Sequence, residues 1–262
     1  MKNYILLNSR SGAAYHILLK FYSHCLANNL EFGGLLFESN KDESNIMSSS
    51  KKNNKEILKW KNDICKILGL PNALDLDDKK TNRKNIKIIN FNDNGFDEKY
   101  FNDNFLNKLH NSCKIYRNIN KNNLVVGIHI RRGDVSPGFI KGANRYLYNK
   151  YYANIINLIR KFNKNAVINI YSEKKSYESF NEFKSMKCNL YLDTDIHKVW
   201  TELINSHIFV MSKSSFSYVP AIYNKNIVIY HPFWHKKLKN WLDFSDPNFE
   251  NILKNSINNL KK

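Results

Sequence analysis

VVGIHIRRGDVSPG, Val125 to Gly138, is an apolar run that breaks into a histidine, two adjacent arginines and an aspartate. Val125, Val126, Ile128 and Ile130 make the run short, continuous and β-branched rather than alternating. That pattern marks a strand covered on both faces, as in a parallel sheet with helices packed on either side. Similar runs follow at Val167 to Tyr171, Leu190 to Leu192, Ile208 to Met211 and Ile227 to Tyr230. Between them, apolar residues fall at helical spacing around Tyr148 to Phe162, Tyr177 to Phe183, His197 to Ile204 and Phe216 to Tyr223.

The residues before Leu124 alternate in the same way. Strands are expected at Tyr4 to Leu7, Phe32 to Phe37 and Ile86 to Phe91, and helices at Ala13 to Leu30, Glu56 to Leu68 and Phe96 to Leu109. The polar tract Ser39 to Lys55 reads as a loop. The expected fold class is therefore α/β, with two Rossmann-like domains at 1–120 and 121–262 joined near Asn118 to Asn123. No sequence repeat relates the halves.

Composition narrows the function less than the motifs do. The 262 residues carry a net charge of +18, with 42% apolar content. The charge comes from a diffuse excess of Lys, as in KKNNK at Lys51 to Lys55, and reads as a solvated surface rather than a specific nucleic-acid footprint. Arg is scarce: Arg10, Arg83, Arg117, Arg131, Arg132, Arg145 and Arg160 complete the list, so the adjacent pair stands out. Cys25, Cys65, Cys113 and Cys188 have neither metal-ligand spacing nor the density of a disulfide scaffold. No apolar run approaches the roughly 20 residues of a bilayer span, and MKNYILLNSRSG turns polar too soon for a signal peptide. The expectation is a cytoplasmic chain with no transmembrane segment.

In open α/β sheets ligands bind beyond the carboxyl ends of the strands, which is where HIRRGD falls. His129 and Arg131 share a face if the strand persists that far, and Gly133 permits a sharp turn. Paired guanidinium groups there suit a phosphate or diphosphate; the simpler reading is an ion pair between Arg132 and Asp134. The stretch SHIFVMSKSSFSYVPAIY, Ser206 to Tyr223, runs from a strand through a serine-rich turn into a helix. Ser214 or Ser215 is the natural N-cap, and hydroxyls with free N–H groups at a helix start form an anion site. Lys213 is a further candidate phosphate contact. Phe233, Trp234, Trp241 and Tyr218 either stack on a sugar or base or belong to the core.

Spacing excludes several classes. GxxxxGK[ST], a GxGxxG opening the first βα turn, and GxSxG are all absent, which argues against P-loop, dinucleotide-binding and α/β-hydrolase chemistry. HPFWH, with His231 and His235 four apart, lacks the glutamate of a zinc-protease helix.

Together VGIHIRRGD and FVMSKSSFSYVPAIYN, about 80 residues apart, resemble the fucosyltransferase superfamily that includes the α-1,2- and α-1,6-fucosyltransferases. The resemblance covers roughly Leu124 to Trp241. It implies an inverting glycosyltransferase of the two-Rossmann, GT-B type that transfers fucose from GDP-fucose to a hydroxyl of a glycan or glycoprotein, needing neither metal nor other cofactor. It further implies that Arg131, with Arg132, binds the β-phosphate and that His129 contacts guanine or ribose. Asp193 or Asp195 would accept from the guanine edge, and Ser214, Ser215 and Phe216 would close around the diphosphate. The additional acidic residue of the α-1,6 enzymes has no counterpart in VSPGFIKG. Asp134 is therefore the candidate base, with ion pairing to either arginine as the alternative. The glycine-rich start of the α-1,2 enzymes is replaced by NSRSGAAYHILLKF, where Gly12 is the candidate turn residue and His16 a candidate on the acceptor side.

Overall fold

A computed structural model of the chain describes residues 1–8, 11–41, 53–79, 81, 84–90, 98–117, 123–138 and 145–260. It divides into two compact units, Met1–Ile115 and Tyr116–Lys262. The boundary falls before Tyr116 because that residue is anchored in the second unit: its hydroxyl donates to the Tyr223 carbonyl at 2.6 Å. The Arg117 N–H likewise donates to Asn205 Oδ1 at 2.8 Å. Most of the expected linker, Asn118 to Asn123, lies outside the described residues, as does most of the tract Ser39 to Lys55.

The N-terminal unit runs β1 (Lys2–Leu6), α1 (Ser11–Ala27), β2 (Phe32–Phe37), α2 (Asn54–Leu68), β3 (Leu74–Asp75), β4 (Ile86–Asn90), a 3-10 turn at Glu98–Tyr100 and α3 (Asp103–Ser112). Its sheet has the order β3-β2-β1-β4 and every pairing is parallel. Asn53 starts α2 with a reciprocal capping box to Glu56. Instead of one helix from Phe96 to Leu109, the described residues hold the 3-10 turn and a separate α3. Asn102 caps α3 by accepting the Phe105 N–H at 3.0 Å, a local bond that interrupts the earlier turn. His16 is buried on α1 with Nε2 2.9 Å from Glu98 Oε1. The two-residue β3 is too short to leave a periodic signal in sequence.

The C-terminal unit runs β5 (Val125–Ile130), α4 (Asn149–Phe162), β6 (Val167–Ser172), α5 (Asn181–Ser185), β7 (Asn189–Leu192), α6 (Ile196–Ile204), β8 (Ile208–Val210), α7 (Ser215–Tyr223), β9 (Ile227–Tyr230), β10 (Leu242–Asp243) and α8 (Phe249–Leu260). The strand order is β10-β9-β8-β5-β6-β7, again all parallel. Counted from β5, that is the Rossmann order 3-2-1-4-5-6 read from the other edge. Val126, Ile128 and Ile130 face a core shared with Tyr152, Ile155, Ile156 and Ile159 of α4 and with Phe249, Leu253 and Ile257 of α8. The opposite face of β5 looks towards α6 and α7: a Cβ on Gly127 would lie 2.9 Å from Leu203, and His129 meets Ser217. Both faces are thus covered, as the continuous apolar runs require.

Helix α8, beyond the expected elements, carries Phe249, Leu253 and Ile257 at i, i+4 and i+8. The four cysteines are buried thiols outside any disulfide, and burial pushes the Cys25 and Cys65 thiols up to about 11. No helix among the described residues is long and apolar enough to cross a membrane.

Candidate functional site

In the C-terminal unit, β5 and β8 are parallel neighbours, paired Val126 to Ile208 and Ile128 to Val210. Later strands extend the sheet from β8 on one side and from β5 on the other. In open α/β sheets such a reversal is where a ligand crevice forms, at the carboxyl ends of these two strands. HIRRGD leaves β5 there and Met211–Ser214 leaves β8 beside it, so motifs some 80 residues apart in sequence meet.

Their contact is made by His129. Its Nδ1 lies 2.8 Å from Ser212 Oγ and 2.6 Å from Ser217 Oγ. The two hydroxyls are 2.8 Å apart, and the Ser212 N–H donates to Ser217 Oγ at 3.1 Å. Phe216 covers the imidazole with ring centroids 4.8 Å apart and packs on Trp200 at 5.6 Å. Burial, reinforced by the charges of Arg131 and Arg132, pushes His129 down to about 3, so the ring is neutral. An unfolded chain regains the ordinary value of 6.5 and binds the proton more readily between the two values. Stability from the neutral ring is therefore complete above about pH 6.5 and is lost as pH falls towards 3, by at most about 1.4 kcal/mol per pH unit. Urea midpoints measured from about pH 7 down to about pH 4 should fall more steeply for the wild type than for His129→Asn. Equal slopes would contradict a buried neutral imidazole.

The adjacent arginines go to different places. Arg131 keeps 16% of its side chain exposed; Nη2 donates to Asp134 Oδ1 and Nη1 to Glu173 Oε1 at 3.4 Å. Arg132 is fully buried. Its Nη1 donates to the Arg131 and Leu147 carbonyls at 2.9 and 3.1 Å, and Nη2 to Asn149 Oδ1 at 2.7 Å and Glu178 Oε2 at 3.4 Å. The guanidinium also stacks on Tyr146, 4.3 Å from the ring centroid. Glu178 completes this knot by accepting from Tyr146 Oη–H at 2.8 Å and the Asn149 N–H at 2.9 Å. Two arginines side by side on a phosphate were expected; here both Arg132 Nη groups go to the Arg131 carbonyl, the start of α4 and Glu178, and its buried Nε has no acceptor among the described residues. The alternative ion pair of Arg132 with Asp134 is also replaced, since Asp134 pairs with Arg131.

Gly133 makes the turn between them at φ 80° and donates its N–H to the Lys175 carbonyl at 2.8 Å. A Cβ there would lie 1.8 Å from Glu173 Oε2. Gly133→Ala should cost about 1–3 kcal/mol, from the left-handed backbone together with displacement of Glu173. Thermal unfolding of the variant checks this; an unchanged midpoint would mean the turn relaxes freely.

The serine motif divides its labour too. Ser214 caps α7 by accepting the Phe216 N–H at 3.2 Å. Ser215 Oγ sits 2.8 Å from His235 Nε2, which also receives the Trp234 indole N–H at 3.1 Å. The Ser217 and Tyr218 N–H groups bond to the Ser214 carbonyl, while that of Ser215 has no protein acceptor among the described residues. Lys213 is half-buried, and burial lowers its pKa, favouring an anionic neighbour to offset the desolvated charge. Tyr218 and Trp241 are buried and pack edge-on at 5.2 Å, an assignment to the core, and half-buried Phe233 lies 6.1 Å from Tyr218. Trp234 is half-exposed beneath Arg145.

Asp193 and Asp195 follow β7, two strands from β5. Asp193 adopts φ 50° and accepts the Lys174 N–H at 2.9 Å. Asp195 caps α6, accepting the His197 N–H at 2.8 Å and meeting its Nδ1 at 2.6 Å. Burial alone would raise the Asp195 pKa, but the His197 ring and the N–H groups of His197 and Lys198 outweigh it and hold it below the usual value.

Glu173, Glu178, Asn149 and His235 were not among the sequence candidates. Glu173 had a signal, since it directly follows β6 and strand ends were the rule that singled out HIRRGD. The others contribute through contacts with residues 17 to 46 positions away and had none.

No family model and no curated protein sequence matches the chain. Among solved structures, the E. coli heptosyltransferase WaaC with ADP-2-deoxy-2-fluoro heptose aligns over 99% of this chain and 99% of its own, at 12% identity and a TM-score of 0.47. The same enzyme with ADP aligns over 99% and 100%, at 10% identity and a TM-score of 0.45.

Proposed function

We propose that the chain is an inverting glycosyltransferase that moves fucose from GDP-fucose to a glycan hydroxyl, with the donor on the C-terminal unit. The observation that carries this reading is the contact of His129 with Ser212 and Ser217, which brings HIRRGD and SKSSFS together at the switch point. Two motifs matched only by sequence order would be a weaker argument than two motifs sharing one crevice.

In this scheme the diphosphate lies against the carboxyl ends of β5 and β8. Arg131, Lys213 and the Ser215 N–H face the charge that grows on the β-phosphate as the bond to fucose C1 breaks. The acceptor oxygen forms the new bond at C1 from the opposite side, and its proton passes to a carboxylate. Asp134 is the candidate; its ion pair with Arg131 opens if it takes that role and persists if it only orients the arginine. Charge compensation by guanidinium, ammonium and N–H groups gives the leaving diphosphate its partners with no metal in the scheme. Asp193 and Asp195, further along the same row of strand ends, are the carboxylates available to guanine N1 and N2.

Calorimetric titration with GDP, GMP and ADP tests the reading. GDP should bind at least about tenfold more tightly than either control, reflecting the second phosphate and the guanine edge. Tighter binding of ADP would move the reading to another nucleotide sugar on the same scaffold. No binding of any of the three would remove its support.

A further inference from the structure

We propose that His129 is a positioning residue rather than a nucleotide contact: through Nδ1 it locks Ser212 and Ser217, and thereby fixes the turn that presents the N-terminus of α7 beside Arg131. This rests on the anion-site reading above but assigns His129 a role that the motif resemblance does not.

The geometry is specific to one edge of the ring. Nδ1 is within 2.8 Å of both hydroxyls, which are themselves 2.8 Å apart, so the three groups close a buried triangle. A fourth bond, Ser212 N–H to Ser217 Oγ at 3.1 Å, ties the first residues after β8 to the first turn of α7. Lys213, Ser214 and Ser215 lie between those tie points, so the triangle sets the conformation of the three residues that carry the cation, the cap and the unbonded N–H. Phe216 covers the imidazole and packs on buried Trp200, which limits the movement of the ring. His129 belongs to β5, Ser212 to the β8–α7 connection and Ser217 to the first turn of α7, so the triangle also fixes that connection relative to the Arg131 backbone two residues on. A buried network of this kind holds a single arrangement, because removing one member weakens the hydrogen bonding of both others where no water replaces it.

Asparagine and glutamine separate this role from direct contact. The amide of Asn reaches where Nδ1 sits, whereas that of Gln reaches where Nε2 sits. Hydrogen exchange on the ligand-free protein is the first readout. Exchange across 211–218 should rise at least about tenfold in His129→Leu and Ser217→Ala, with His129→Asn close to wild type and His129→Gln resembling Leu. GDP affinity should follow the same ranking, about tenfold weaker for Leu, Gln and Ser217→Ala and within about threefold for Asn. The double variant His129→Leu/Ser217→Ala should be no worse than either single one. Rescue by Gln instead of Asn, additive effects, or unchanged exchange would overturn the proposal. Should His129→Leu fail to fold, Ser217→Ala and the Asn and Gln pair still decide it. If the wild type binds no GDP, the glycosyltransferase reading falls, while the exchange experiment, which needs no ligand, still tests the triangle.

Discussion

Arg131→Ala should lose about 10²–10³ in transfer rate and about 10–100-fold in GDP affinity while unfolding at close to the wild-type temperature. Arg131 is the partly exposed arginine of the pair, and its protein contacts are ion pairs to Asp134 and Glu173, both carboxylates open to solvent. Exposed pairs of this kind contribute at most about 1 kcal/mol, so removing the side chain costs the fold little. A guanidinium facing a diphosphate contributes far more, because it offsets the charge that the leaving group gathers in the transition state. Arg131→Lys should recover only part of the loss, since an ammonium cannot offer the planar fork that grips two phosphate oxygens. Calorimetry with GDP, together with a thermal melt of the same samples, checks both halves. An Arg131→Ala protein that binds GDP normally would return HIRRGD to a structural ion-pair cluster.

Arg132→Ala should do the reverse, costing about 3–5 kcal/mol of stability, or about 10 °C in melting temperature, and leaving GDP affinity within a few-fold of wild type on the folded fraction. Its guanidinium is fully buried and bonded to two carbonyls, Asn149 and Glu178, with Tyr146 stacked on its face. Truncation takes the guanidinium donors from the two carbonyls and Asn149 Oδ1, leaves Glu178 facing no cation and opens a cavity under Tyr146, so the start of α4 loses part of its anchor. Arg132→Lys should be almost as damaging, because one ammonium cannot serve acceptors arranged around a planar fork. A melt followed by titration at low temperature separates the two effects. An Arg132→Ala protein that melts like the wild type but no longer binds GDP would place this arginine at the phosphate after all.

The difference between the two arginines shows how far the sequence reads. VVGIHI announces a strand buried on both faces, and SHIFVMSKSS announces a strand running into a capped helix, because side-chain periodicity and N-cap chemistry act over a few neighbouring residues. The α/β class, the parallel sheets and the carboxyl-end location of both motifs follow from those local rules. So does the anchoring role of Ser214 on α7. Where a helix is interrupted, as at Asn102, a side-chain bond to the backbone overrides the apolar spacing that suggested continuity.

What the sequence alone could not determine depends on strand order. Only when β8 is laid beside β5 does His129 meet Ser212 and Ser217, 83 and 88 residues away. Arg132 is likewise buried because the α4 start and the Glu178 loop close over it, contacts 15 to 46 residues distant that no local pattern encodes. Composition and spacing determined which side chains arrive at the strand ends. The tertiary structure decided which of them keep solvent exposure, as Arg131 does, and which turn inward, as Arg132 does, because burial and hydrogen-bond satisfaction are settled by neighbours that only the packed sheet supplies.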